Sequence, residues 1–141
     1  MNALFDKLLW LAGLGHFIVL VASFQVPARM HWREDLAKLM PVNRKLMWTY
    51  GVFIVLTIVA FGALTVALHD ELLRGDRAAL GLATFIGGFW LTRIVIDFAW
   101  QTHADWPVGW RFVVAHVLLV LLFVALAATY LGLVVWHWRR G

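Results

Sequence analysis

Residues 110–136 read WRFVVAHVLLVLLFVALAATYLGLVVW, and the only Asp, Glu, Lys or Arg among them is Arg111. An α-helix needs roughly 20 mainly apolar residues to cross a bilayer, and this run exceeds that length. Its apolar residues are continuous rather than alternating, which excludes a barrel strand. Working back toward the N-terminus, three more runs qualify, at about residues 8–26, 46–68 and 78–100. Together they predict an all-α, integral membrane four-helix transmembrane bundle, one polytopic domain over residues 1–141 with both termini on the same side. The first run has some marks of a signal peptide, with Lys7 before it and Val21-Ala22-Ser23 near its end. His16 interrupts its apolar region, so we read it as a retained span.

The bulk numbers agree. Of 141 residues, 63% are hydrophobic and 14% charged, and the mean hydropathy is +0.83. An ordinary soluble domain is about 45–50% apolar and about 25% charged. A chain this short has too much surface for its volume to hide such a composition from water. The absence of cysteine excludes disulfides, thiolate metal sites and cysteine catalysis. The net charge of +4 is explained by Lys and Arg meeting anionic headgroups, so membrane lipids rather than nucleic acid are the expected partners. A larger membrane complex or a homo-oligomer would be the protein partners of such a chain. Trp32, Trp48, Trp100, Trp106, Trp110, Trp136 and Trp138 lie near the ends of the runs, as interfacial belts require. There is no internal repeat and no low-complexity stretch.

The connections are unequal. In the first, Trp32, Leu36, Leu39 and Met40 recur at i, i+4, i+7 and i+8, while Arg33, Glu34, Asp35 and Lys38 take the other face. This predicts a short amphipathic interfacial helix between the first and second spans, with a Glu34–Lys38 pair and a stop at Pro41. The second connection, residues 69–77, reads as a short polar loop. The third, residues 101–109, holds His103 and Asp105. Lys and Arg are split almost evenly between the two sides. The cluster Arg29, Arg33, Lys38, Arg44 and Lys45 favours a cytoplasmic first connection.

Helices in lipid associate through close packing at small residues. Ala79, Ala83 and Gly87 make such a stripe on the third span. Ala12 and Gly13 on the first, and Ala128 and Gly132 on the fourth, are further candidates.

A charge at the bilayer centre costs about 2.5–3.5 kcal/mol on insertion scales, so intramembrane ionisable residues point to function. Arg93 and Asp97 are one helical turn apart, can pair, and should face the bundle. His16 lies near the middle of the first span and His116 about two turns into the fourth. Tyr50 enters the second span at about the depth of Asp97. Counting residues along antiparallel helices puts these groups in the half nearest the first and third connections. A polar cavity opening toward that end is therefore expected, with Arg93, Asp97, His116, Tyr50 and His16 as its ligand-binding residues. The site suits an anionic lipid or quinone-like molecule held by an accessory or ligand-binding subunit. Arg93 would attract the anion, Asp97 would hold Arg93, and His116 and Tyr50 would donate hydrogen bonds. Two other chemistries use the same residues. A b-type haem would take His16 and His116 as axial ligands from different helices. A small enzyme acting on a lipid would hold its substrate at Arg93, with His116 or Asp97 as acid or base. No His-x-x-x-His or Glu-x-x-His spacing occurs, and Glu34 and Glu71 lie in connections. No metal site is assigned.

Overall fold

A computed structural model describes residues 2–100 and 109–140. Its elements are α1 (Asn2–Arg29), α2 (Trp32–Ala37), α3 (Pro41–Ala67), α4 (His69–Arg74), α5 (Arg77–Trp100) and α6 (Trp110–Trp138). The helices α1, α3, α5 and α6 are long and apolar enough to cross a membrane. A helix of 27 residues, like α3, is about 40 Å long and exceeds the roughly 30 Å hydrocarbon core. The chain is an all-α, four-helix bundle of the multi-pass integral membrane kind. His103, Asp105 and Trp106 lie outside the described residues, as does the side chain of Trp100.

The spans outrun their apolar windows. Helix α1 continues through Pro27 to Arg29, and α3 starts at Pro41 rather than near residue 46, with proline in the first turn. An apolar window measures the thickness of hydrocarbon, whereas a helix stops where its hydrogen bonds stop. Proline costs little at a first turn, because its missing N–H would have no partner there. The second connection is not a loop but the short helix α4. It closes on Gly75 in the left-handed region (φ 80°), whose N–H reaches the Glu71 and Leu72 carbonyls.

Helix α1 packs along α3, and α5 along α6; α1 also reaches α6 and the two short helices. The small residues set these crossings. A Cβ on Gly87 would meet Leu131 Cγ at 2.7 Å, so the stripe Ala79, Ala83, Gly87 is the α5–α6 seam. A Cβ on Gly13 would meet Val66 at 3.1 Å, and one on Gly62 would meet His16 Cβ at 3.3 Å, fixing α1 against α3. Ala128 is exposed and takes no part.

The core is lopsided. Every buried residue of α3 falls at Ile58 or later, and every buried residue of α6 at Phe123 or later. Phe5 of α1 stacks near Trp136 of α6, 5.4 Å between ring centres. The bundle is therefore packed at the end that carries the termini. At the other end the first half of α3 is thinly covered, and Pro41 to Tyr50 are all exposed.

The interfacial helix is shorter and less regular than its sequence pattern. It ends at Ala37, and of the expected apolar face only Leu36 is buried. Trp32 instead meets Trp48 edge-on at 5.9 Å, while Leu39 and Met40 are exposed. Lys38 pairs with Asp35 at 2.9 Å rather than with Glu34. That hydrogen bond and the charge of Asp35 hold the Lys38 ammonium above its ordinary pKa.

Candidate functional site

The five polar residues expected to share one cavity fall into three places. Helix α5 brings Arg93 and Asp97 together, as their one-turn spacing requires. Arg93 Nη1 donates to Asp97 Oδ1 at 3.1 Å. Helix α6 adds His116, whose Nε2 lies 3.2 Å from the second oxygen, Asp97 Oδ2. The Asp97 side chain is 2% exposed, that of Arg93 34% and that of His116 15%. A buried carboxylate costs several kcal/mol unless it is paired. Arg93 reaches Oδ1 by a hydrogen bond, and His116 comes up to Oδ2 from the second helix without closing one. Arg93 carries five N–H donors, of which the Asp97 contact uses one. The guanidinium also lies over the Phe123 ring, 5.5 Å from its centre.

His16 is part of a different arrangement. It is fully buried and enclosed by the rings of Phe61, Trp90 and Tyr130, each 5.6–5.8 Å away. Its Nδ1 donates to the Ala12 carbonyl at 2.8 Å, and its Nε2 accepts from Trp90 Nε1 at 3.0 Å. These partners fix one tautomer and occupy both ring nitrogens. A second polar pair lies alongside. Thr65 donates to the Phe61 carbonyl at 2.7 Å, so the 2.6 Å contact with Tyr130 is donated by the tyrosine. These bonds make a second, satisfied polar cluster.

Tyr50 does not join the cluster. It is 60% exposed, on the thinly covered part of α3. His16 and His116 are not brought together either. The first is bonded to Trp90 and the second reaches Asp97, seven residues further along the same helix and about 10 Å away along its axis. A single haem iron needs both axial nitrogens on one line through it, and His16 has no lone pair to offer. Trp90 connects the two centres, stacked on Phe123 at 4.8 Å.

A further polar contact was not anticipated from the sequence. At the terminal end, His69 of α4 pairs with Asp6 of α1 at 2.8 Å and lies tilted against Trp10, 4.8 Å between ring centres. Trp136, expected in an interfacial belt, is buried there with Arg140 over its ring at 4.3 Å. His69 and Asp6 sit just outside two antiparallel spans on the same side. Their equal depth was the available signal.

Among the described residues no group of three or more His, Asp or Glu is placed to hold a metal ion. In comparisons with known proteins, the chain matches no family, no curated protein and no solved structure.

Proposed function

We propose that this is a ligand-binding membrane protein, an accessory or carrier-type subunit, whose receptor group is Arg93. The ligand is a membrane-soluble molecule with an anionic or strongly polar end: an anionic lipid or a quinone-like molecule. The reading rests on the division of roles within one turn of α5. Asp97 is buried and takes one hydrogen bond from Arg93, with His116 close to its other oxygen, while Arg93 keeps a third of its side chain exposed. An arginine needed only to neutralise Asp97 would gain from burying the rest of its guanidinium beside it. An arginine with uncommitted N–H donors takes a carboxylate, phosphate or carbonyl oxygen instead. His116, 3.2 Å from the other carboxylate oxygen, stays beside Asp97 when an anion draws on Arg93.

Native mass spectrometry of the gently solubilised protein tests this. Wild-type protein should carry an anionic or quinone-like adduct, and Arg93→Gln should lose it with little change in melting temperature. An unchanged adduct in Arg93→Gln would remove the receptor role. A variant that fails to fold would make the pair structural. The Lys and Arg cluster of the first connection favours a cytoplasmic position for it, and single cysteines at Lys38 and Arg74 test this, since the chain has none of its own.

A further inference from the structure

Helices α3 and α5 hardly touch. Between them runs a groove of about 590 Å³, lined by Ile54 on α3 and by Thr84, Gly88, Phe89, Arg93 and Ile96, among others, on α5. Its floor is aromatic: Phe61 of α3 meets Phe85 and Phe89 edge-on at 5.8 and 5.1 Å. Below that contact the bundle is packed, and above it the two helices separate.

The lining matches one kind of occupant. The polar side chains of the walls are Arg93 and its neighbour Thr92 at the upper end and Thr84 at the lower. The Thr84 hydroxyl is already bonded to the Leu80 carbonyl at 2.8 Å. Gly88 leaves real space, since a Cβ there would meet nothing within 4 Å. From Arg93 down to Thr84 the groove runs about 14 Å along α5. Half of a hydrocarbon core of about 30 Å is about 15 Å, the depth covered by one acyl chain of one leaflet. Arg93, the single charge, lies near the far end of this path from the aromatic floor. It is also seven residues short of Trp100, the last residue of α5, so about 10 Å below the helix end. A bulky phosphodiester headgroup belongs at the interface, above that level. A carboxylate is small enough to be drawn down to it.

We infer that the α3–α5 groove takes a single-chain carboxylate of the fatty-acid type, which enters sideways from the bilayer and pairs its carboxylate with Arg93. The inference rests on the reading of Arg93 as the receptor group and adds the ligand class and its path. The tail lies between Ile54 and Gly88 and ends on the Phe61–Phe85–Phe89 floor. Charge-assisted hydrogen bonds of the size involved, about 1.5–3 kcal/mol, correspond to roughly ten- to hundredfold in affinity.

Binding of radiolabelled palmitate to the detergent-purified full chain tests this, with hexadecanol, phosphatidylglycerol and a short-tailed quinone as competitors. Palmitate should bind and hexadecanol should compete at least about tenfold less well. Arg93→Gln should weaken palmitate by about tenfold or more. Gly88→Leu should do the same by filling the groove, with an unchanged melting midpoint. Gly81→Leu, whose Cβ also meets nothing but which lies outside the lining, should bind as wild type does. If Gly88→Leu fails to fold, Ile54→Trp fills the same space from the opposite wall. Loss in Arg93→Gln with full binding in both groove variants would overturn the groove and leave the anion site standing. Displacement by phosphatidylglycerol or the quinone in strong preference to palmitate would overturn the ligand class alone. Equal palmitate binding by Arg93→Gln, or none by the wild type accompanied by no competitor binding, would overturn the receptor role and the inference together.

Discussion

The two ends of this bundle solve opposite problems. At the terminal end Phe5 and Leu9 of α1, Leu72 of α4, and Tyr130 and Leu133 of α6 are buried, and His16, Thr65 and Tyr130 are hydrogen-bonded among them. At the other end the first half of α3 is thinly covered, its side chains are exposed, and a charged cluster is held by only two helices. Lipid supplies no hydrophobic force between helices, so each contact has to come from fitted shape or from hydrogen bonds. The terminal end has both. The open end joins its charged groups in one cluster and leaves its shape unfilled. Tight and loose packing are thus separated along the helix axes rather than between core and surface, as in a soluble protein.

The contrast can be broken by substitution. The largest expected effect is Trp90→Ala. It empties the place between His16 and Phe123 and should cost about 3–5 kcal/mol, read as a large fall in the thermal midpoint in micelles. A small effect would mean that the packed end is not the source of stability. Next comes a neighbouring pair of glycines. Gly87→Val drives a methyl into Leu131 and should cost about 1–3 kcal/mol by overpacking. Gly88→Val, one position along on the groove side, should leave the midpoint where it was. Equal effects would place the α5–α6 seam elsewhere. A double-mutant cycle of Thr65→Val and Tyr130→Phe measures the buried hydroxyl pair, expected at about 0.5–1.5 kcal/mol; a coupling of zero would remove the polar part of the packed end. Tyr50→Ala, at the open end, should change stability by less than about 0.5 kcal/mol. A larger loss would show that the free half of α3 is held by contacts that α3 itself does not reveal.

How much of this was legible depends on what residue counting can measure. Depth is readable, because each residue advances a helix by a fixed rise. Hence the four spans, the Arg93–Asp97 pair and the approach of His116 to their level all follow from the sequence. Direction around the axis is not readable where a helix is apolar on every side, as α1, α3 and α5 are. Tyr50 has the depth of Asp97 and faces away from it. His16 was matched with His116 by depth, whereas its partner is Trp90, a residue counted as apolar until its N–H is followed. Trp136 looked interfacial for the same reason. The stripe Ala79, Ala83, Gly87 escaped this problem, because four-residue spacing itself marks a face. Helix α4 is too short to show any period at all.

The hydrogen bond from His16 to Ala12 has a bearing on how the chain is made. Helix α1 is synthesised first and must lie in the membrane before α5 exists. Its imidazole then lacks Trp90, but its N–H is already satisfied one turn back within the same helix. Only a lone pair is left waiting, and an unmet acceptor can be served by a passing water or a lipid headgroup. The newborn helix is therefore acceptable to the bilayer on its own, and the arrival of Trp90 completes a group that was never fully exposed.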